Sequence, residues 1–208
     1  AGIVAGASLC TFILSAIPTK GPRSAAYPRP QRALLVIDVQ EDYIGESANR
    51  LSPYKNADLI IRAINQVTEK ALLKKQPVVY IKQEYQGAWN TAIAKVLLGG
   101  RGLPGTPGSQ IDKRVMVVSK DIFTKPIGDA FSNPALSDFL VKNQVTEVVL
   151  TGLDARFCVH ATAQGALNRG YKVTVVTDAL GMLAEAQREK LMETYKREGI
   201  TLTTSQAL

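Results

Sequence analysis

The sequence predicts an α/β domain of the doubly wound kind, in which helices cover both faces of a mostly parallel, six-stranded sheet. Six short apolar runs, rich in β-branched residues, alternate with helical periods or long connections along the chain. Continuous apolar runs are typical of strands that are buried on both faces. Strands separated by helices pair in parallel, because a parallel connection requires a crossover. The 208 residues are enough for one such domain with a well-buried core.

The first half of the chain provides three of the predicted strands and one helix. An aliphatic run at 33–38 predicts the first strand, and runs at 78–82 and 115–119 predict the second and third. Between the first two strands, residues 58–74 have the period of a helix with one apolar face. That face carries Leu59, Ala63, Val67 and Ala71.

The second half continues the alternation of helices and strands. Gly170 and Gly199 follow two of its helical periods, where glycine commonly ends a helix. In order, its predicted elements are a helix at 134–142, a strand at 147–151, a helix at 157–168, a strand at 171–177, a helix at 183–197 and a strand at 200–203.

The N-terminal part of the chain has a different character, so we divide the sequence into an apolar segment with its linker at 1–32 and a folded domain at 33–208. Residues 3–17 carry no charge and precede a small-residue run, which is typical of an export signal or short anchor. A helix packed on the domain and an organelle transit peptide are the alternatives. Export would follow if residues 1–26 act as a signal, and a cytoplasmic location otherwise. Any membrane contact is expected only through this segment.

Charge and cysteine content exclude several classes of function. The net charge is +7, but four basic residues lie before Ile37 in a stretch without any acid, so the remaining chain is only mildly basic. We therefore expect no nucleic-acid partner. Two cysteines and a single histidine cannot form a disulfide framework or a four-ligand zinc site. We expect no metal and no cofactor, and we interpret Cys10 as a buried apolar thiol.

Three side chains have the chemistry of an active site. In doubly wound sheets, ligands bind beyond the carboxyl ends of the strands where the strand order reverses, which points to the ends of the first and fourth strands. Asp38 ends the first strand, and Cys158 opens the helix after the fourth, where backbone amides stabilise a thiolate. Lys125 lies in a loop after the third strand, from which its ammonium would stabilise that thiolate. Taken singly, each residue also has an ordinary structural interpretation: Asp38 as a loop cap, Cys158 as an inert buried thiol and Lys125 as a solvated lysine.

Four motifs in order resemble the isochorismatase-like cysteine hydrolases, which include nicotinamidases and N-carbamoylsarcosine amidohydrolase. They are IDVQEDY, PGTPGSQI, KPIGDAF and TGLDARFCVHATAQGALNRGYKVTVVTDA, and the resemblance extends from Ala33 to the C-terminus. It implies a Rossmann-like three-layer fold and a triad of Asp38, Lys125 and Cys158. It also implies self-association into dimers or tetramers.

The resemblance further implies how the substrate carbonyl is bound. A cis peptide between Leu153 and Asp154 would aim backbone amides at the oxyanion, and the amides of Ala155 and Cys158 are the candidate donors. The candidate substrate-binding residues are Gln40, Glu84, Tyr85, Trp89, Phe131 and Arg156.

Departures from the family pattern narrow the chemistry. The stretch IKQEYQGAW at 81–89 has no histidine, whereas nicotinamidases carry metal-binding histidines near this strand, so we do not expect a nicotinamidase. The retained Cys158 favours attack on an amide, ureido or related carbonyl of a small molecule. His160 lies two residues further along the helix, on a different face, and is not expected to act with Cys158. The alternatives are a vinyl-ether hydrolase with Asp38 as general acid and a non-catalytic binding or assembly module.

Overall fold

In a computed structural model of the chain, the structure describes residues 17–45, 54 and 56–208. The predicted export signal or anchor at 3–17 lies outside these residues except for Ile17, as does Cys10. Among the described residues, no helix combines the length and apolar character needed to cross a bilayer.

Six parallel strands form one sheet with helices on both faces, which confirms the predicted fold class. The strands are β1 (Gln31–Ile37), β2 (Val78–Gln83), β3 (Ile122–Lys125), β4 (Val145–Gly152), β5 (Lys172–Leu180) and β6 (Thr201–Thr203). The helices are α1 (Glu41–Ile44), α2 (Ala57–Leu73), α3 (Ala88–Leu97), α4 (Pro134–Lys142), α5 (Cys158–Asn168) and α6 (Arg188–Arg197).

The spatial order of the strands is β3-β2-β1-β4-β5-β6, so the chain reverses direction across the sheet between β1 and β4. β1 pairs in parallel with β4 along its whole length and with β2 from Leu34 to Ile37. The connections after β1 and β4 therefore leave the sheet in opposite senses and open a crevice at their carboxyl ends. Asp38 and the segment before Cys158 lie at this crevice, as the sequence predicts.

Two apolar layers hold the sheet between the helices. Because successive strand side chains point to opposite faces, Leu34 and Val36 of β1 pack on one side and Leu35 and Ile37 on the other. Leu34 and Val36 meet the apolar face of α2, whereas the other side meets residues of α4, α5 and α6. Burial on both faces explains why β1 and β4 read as continuous apolar runs.

The third strand is not where the sequence places it. Residues 115–119, predicted as a strand, have no regular structure, and β3 is formed by Ile122–Lys125. Side chains satisfy the backbone of the earlier run, because Asn65 Oδ1 accepts from the Met116 amide and the Tyr80 hydroxyl donates to the Met116 carbonyl. Lys125 is consequently the last residue of a strand rather than part of a loop. This places it at the carboxyl end of the sheet, where Asp38 also lies.

Three helices also differ from the prediction. The short α1 and the longer α3 have no counterpart among the predicted elements. The predicted helix at 183–197 begins only at Arg188, after a 3₁₀ turn at Glu185–Gln187. Arg188 fixes this start, since its guanidinium donates to the carbonyls of Thr177 and Leu180 in the C-terminal part of β5.

Part of the predicted linker is bound to the domain. The amide and hydroxyl of Thr19 both donate to Asp129 Oδ2 at 2.7 Å, and Arg169 donates to the carbonyls of Thr19 and Lys20. The Ser24 amide donates to the Arg169 carbonyl at 2.7 Å. Asp129 and Arg169 are both buried, so residues 19–24, which we call the strap, cover two charged groups and supply further hydrogen-bond partners for them.

Candidate active site

The sheet brings together the three side chains that the sequence singles out. Asp38 follows β1 with a left-handed backbone (φ 55°), Lys125 ends β3, and Cys158 is the first residue of α5. Lys125 Nζ lies 2.9 Å from Asp38 Oδ2 and 3.3 Å from Cys158 Sγ. A carboxylate, an ammonium and a thiol that are distant in sequence therefore share one buried site.

Lys125 is fully surrounded by acceptors. Its side chain is inaccessible to solvent, and Nζ also donates to Gln83 Oε1 at 2.5 Å and to the Ile127 carbonyl at 3.2 Å. Burial by itself lowers the pKa of Lys125, but the Asp38 carboxylate and the Cys158 sulfur outweigh it and raise the pKa above its usual value. The lysine is therefore an ammonium, and it forms an ion pair with Asp38.

Burial governs the protonation of the thiol and of the carboxyl. It raises the pKa of Cys158 to about 12; the Lys125 charge opposes this effect and the Asp38 charge adds to it. Burial also raises the pKa of Asp38, against the lowering effect of Lys125. Sequence reasoning expects the helix amides and Lys125 to stabilise a thiolate, but burial outweighs the Lys125 charge in this site and favours the protonated thiol. The resting site holds a thiol beside a carboxylate of raised basicity.

Two glutamines, Gln40 and Gln83, fix the carboxyl end of β2 beside this site. Gln40 Oε1 accepts from the Gln83 amide at 2.7 Å, and Gln40 Nε2 donates to the carbonyls of Gln83 and Ser109 at 3.2 and 3.0 Å. Gln40 is completely buried and all of its polar atoms are used in these bonds. The Gln40 amide thus joins the connection after β1 to the end of β2, and its predicted contact with substrate stays a prediction.

The predicted cis peptide is absent, because no peptide bond in the described part of the chain is cis and the Leu153–Asp154 bond is trans. Hydrogen bonds to the neighbouring strands fix this turn: the Leu153 amide donates to the Ile37 carbonyl and the Ala155 amide to the Gly181 carbonyl, both at 2.8 Å. In this structure the Ala155 amide is thus used within the fold, and its predicted role as an oxyanion donor stays a prediction. Within the described residues the Cys158 amide has no acceptor, so it stays a candidate donor.

Asp154 shapes the loop before the nucleophile helix. Its Oδ1 accepts from the Arg156 amide at 2.8 Å, and its Oδ2 accepts from the Leu183 amide at 2.7 Å and the Tyr54 hydroxyl at 3.3 Å. Burial raises the pKa of Asp154, against the lowering effect of these donors. Asp154 therefore organises the backbone around the thiol and joins it to the loop after β5.

Two further residues predicted to bind substrate have other contacts in the structure. Phe131 is buried against Tyr171, with ring centroids 5.7 Å apart, and Arg169 lies 4.7 Å above its ring. The 3₁₀ turn at Ala130–Ser132 directs the Phe131 ring into the core, against which Cys158 also packs. Arg156 is exposed and donates to Gln187 Oε1 at 2.9 Å. A substrate-binding role for either residue stays a prediction.

The three predicted residues after β2 have separate environments. The Glu84 carboxylate pairs with Lys82 at 2.8 Å. Trp89 opens α3 with 77% of its surface exposed. Tyr85 lies near the thiol, and burial, together with the Cys158 charge, raises the pKa of its phenol to about 12. Of the three, Tyr85 is the one that the structure brings to the site.

Sequence reasoning missed three polar neighbours of the thiol. Gln83 contacts Lys125 directly, while the phenols of Tyr43 and Tyr54 are buried and interact electrostatically with Cys158 and Asp38. Tyr43 lies within the motif IDVQEDY, so its proximity to Asp38 in sequence was a usable signal. Gln83 and Tyr54 carry no such signal, because their positions depend on strand register and loop packing.

Comparisons with known proteins give a consistent picture. The isochorismatase domain model matches residues 32–207. The chain is 29% identical over 157 residues to streptothricin hydrolase from Streptomyces noursei, covering 75% of this chain and 56% of that protein. It is 31% identical over 159 residues to a protein from Arabidopsis thaliana named as a probable inactive nicotinamidase, covering 71% and 79% of the two chains.

A solved structure extends the likeness to the fold. N-carbamoylsarcosine amidase from Thermoplasma acidophilum superimposes with a TM-score of 0.71 at 25% identity, covering 86% of this chain and 98% of that one. Among the residues that the structure describes here, no group of three or more His, Cys, Asp or Glu side chains is placed to hold a metal ion.

Proposed function

The chain belongs to the isochorismatase family, and from this premise we propose that it is a metal-independent hydrolase whose Cys158 sulfur attacks an amide, ureido or related C–N carbonyl of a small molecule. The observation that carries the proposal is the position of the Lys125 ammonium, 2.9 Å from Asp38 Oδ2 and 3.3 Å from Cys158 Sγ. A buried carboxylate, a buried cation and a thiol together supply a base, a charge stabiliser and a nucleophile. Two similar proteins, named as an amidase and a hydrolase, support the reaction class.

The first half of the reaction forms a thioester. Asp38 accepts the thiol proton while the sulfur bonds to the carbonyl carbon, and the carbonyl electron pair moves to oxygen. The raised pKa of Asp38 suits it to hold this proton, and Lys125 balances the charge at the sulfur. The Cys158 amide, which has no acceptor among the described residues, is the donor that we propose for the oxyanion. When the C–N bond breaks, the protonated Asp38 returns the proton to the leaving nitrogen as ammonia or an amine departs.

The second half regenerates the thiol. Water gives a proton to Asp38 and bonds to the thioester carbon, after which the C–S bond breaks and the sulfur recovers the proton from Asp38. The product carboxylic or carbamic acid then leaves. The same carboxylate acts as base and acid in both halves, so the cycle uses one proton-transfer group.

The test is ammonia release from a panel of small amides and ureides by the purified protein and by Cys158→Ala. We expect the variant to lose at least about 10³-fold of the turnover, because removal of a covalent nucleophile leaves only the residual effect of binding. Cys158→Ala must keep the thermal unfolding midpoint of the wild type for the comparison to count. Unchanged turnover of a substrate by a folded Cys158→Ala variant would refute the proposal.

The vinyl-ether alternative draws support from the raised pKa of Asp38, since a protonated carboxyl is what a general acid needs. Cys158→Ala separates the two, because hydrolysis of isochorismate by an acid mechanism would survive the substitution. The relative named as inactive keeps the non-catalytic alternative testable as well. A module of that kind would release no ammonia from any panel member.

A further inference from the structure

We propose that Gln83 is a positioning residue that holds the Lys125 ammonium between the Asp38 carboxylate and the Cys158 sulfur. The inference rests on the proposed function, because it assigns a role within the same site. Gln83 lies outside the motifs on which the triad was predicted. Its side chain bonds the Lys125 carbonyl and ammonium, while its backbone contributes a hydrogen bond to the Asp38 carboxylate. It would therefore act through Lys125.

The Gln83 side chain bonds both the ammonium and the backbone of Lys125. The two residues end neighbouring strands and are partners in the β2–β3 register. Gln83 Oε1 accepts from Lys125 Nζ at 2.5 Å, while Gln83 Nε2 donates to the Lys125 backbone carbonyl at 3.0 Å. One side-chain amide thus bridges the backbone and the ammonium of the same residue. Since both side chains are buried, water cannot readily replace this acceptor.

Gln40 in turn fixes the position of Gln83. Gln40 bonds both backbone groups of Gln83, accepting from its amide and donating to its carbonyl, and it also bonds the Ser109 carbonyl. The end of β2 is thereby joined to the residues that follow Asp38. The relative position of the carboxylate and the ammonium is consequently set by paired amides rather than by the ion pair alone.

The neutrality of Gln83 explains why an amide suits this place. An ammonium has three N–H donors, and four acceptors lie within 3.3 Å of Lys125 Nζ. In the resting thiol form, only Asp38 among these carries a full negative charge. Gln83 takes one donor without adding a second charge, whereas a carboxylate there would oppose formation of the sulfur anion. The ammonium remains free to compensate the sulfur.

The experiment measures alkylation of Cys158 by iodoacetamide as a function of pH in the full chain. Sulfur displaces iodide from carbon, and trypsin then isolates Cys158 in the peptide 157–169, away from Cys10, for mass spectrometry. Well below the pKa of a thiol, the rate falls about tenfold for each unit by which that pKa rises. We expect Gln83→Met to react about tenfold more slowly than wild type, and Gln83→Glu more slowly still, because each weakens the effect of Lys125 on the sulfur.

Gln66→Met is the matched control, since Gln66 Oε1 also meets a side chain, Ser205, at 3.0 Å but lies away from the thiol. It should alkylate at the wild-type rate. Thermal unfolding checks that each variant is folded; if Gln83→Met is not, Gln83→Glu carries the test. A merely structural role for Gln83 would lower the unfolding midpoint and leave the alkylation rate of the folded protein unchanged, which would overturn the inference.

Lys125→Met separates this inference from the proposed function. If Lys125→Met alkylates at the wild-type rate, or the double variant Asp38→Asn/Lys125→Met alkylates at the rate of Asp38→Asn, the ammonium does not stabilise the sulfur anion and the proposed function fails. If removal of the lysine slows alkylation while the folded Gln83 variants match wild type, only the role of Gln83 is refuted. Slower alkylation in both sets supports the two together.

Discussion

The ion pair between Lys125 and Asp38 is the costliest feature of the molecule at the residue scale. Both side chains are almost completely removed from solvent, so each charge depends on the other and on nearby hydrogen-bond partners. Lys125 has such partners in Gln83 and Ile127, whereas Asp38 Oδ1 has none in the described part of the chain apart from its interaction with the thiol. A fold chosen for stability alone would gain little from this arrangement, which is consistent with a chemical role.

Lys125→Met should therefore destabilise the protein by about 3–5 kcal/mol, because it leaves the Asp38 carboxylate buried without its cation. The double variant Asp38→Asn/Lys125→Met should recover most of that loss, since it removes both charges. Urea unfolding at neutral pH measures the free energies of unfolding. Equal destabilisation by the single and double variants would show that the cost comes from packing and not from the charges.

At the scale of elements, the strap ties the N-terminal side of the domain to the nucleophile helix. Asp129 Oδ2 accepts two hydrogen bonds from Thr19, and Arg169, just after α5, binds the strap carbonyls. Asp129 also binds the Phe131 amide at 2.8 Å and so holds the turn after β3. Asp129 therefore joins the strap to the turn after β3.

We expect Asp129→Ala to lower the free energy of unfolding by about 3 kcal/mol and Thr19→Val by about 1 kcal/mol. The first leaves several donors without their acceptor, and the second removes a single hydroxyl. Trypsin should also cut Asp129→Ala faster after Lys20 and Arg23, because the strap would be released from the domain. Thr201→Val, on the exposed edge of β6, is the control and should behave as wild type. Unaltered strap cleavage in Asp129→Ala would show that the hydrogen bonds from Thr19 to Asp129 do not hold the strap on the domain.

Local pattern predicts some elements of this fold well and others poorly, for physical reasons. β1 and β4 are central strands, so burial on both faces gives them unmistakable apolar runs, and Pro134 and Asn133 mark the start of α4. β3 is a four-residue edge strand with intermediate burial, and its run is less apolar than residues 115–119. Its position is decided by pairing with β2, a tertiary contact that no local window contains.

The candidate site divides in the same way. Asp38 and Cys158 were predictable because strand ends and helix starts at the chain reversal are set by topology. Gln83 was not, because its role depends on which residue of β3 faces it across the strand pair. Gln40 and Phe131 were assigned to substrate because they lie near motifs, but the register and the turn at Ala130–Ser132 direct both side chains inward.

At the scale of the whole molecule, the burial of weakly acidic groups sets a limit on alkaline stability. Burial raises the pKa values of Cys158 and Tyr85 to about 12. It also raises those of Tyr43, Tyr54 and Tyr195. Between the ordinary pKa values of these groups, near 9 and 10, and their raised values, the folded chain retains protons that the unfolded chain has lost. A state that binds more protons is favoured at lower pH, so stability must fall as the pH rises through this window.

Each such group removes up to about 1.4 kcal/mol of stability per pH unit within its window, and the slopes of independent groups add. We therefore expect the free energy of unfolding in urea to be nearly constant around neutral pH and to fall steeply above about pH 10. Tyr85→Phe should reduce the steepness by the share of one proton, because phenylalanine cannot ionise in either state. Phenolate absorbance of the folded protein supplies an independent check, since the buried phenols should ionise only as the chain unfolds. Reversible ionisation of all seven tyrosines near their ordinary pKa in a chain that stays folded would contradict the packing of phenols around the thiol.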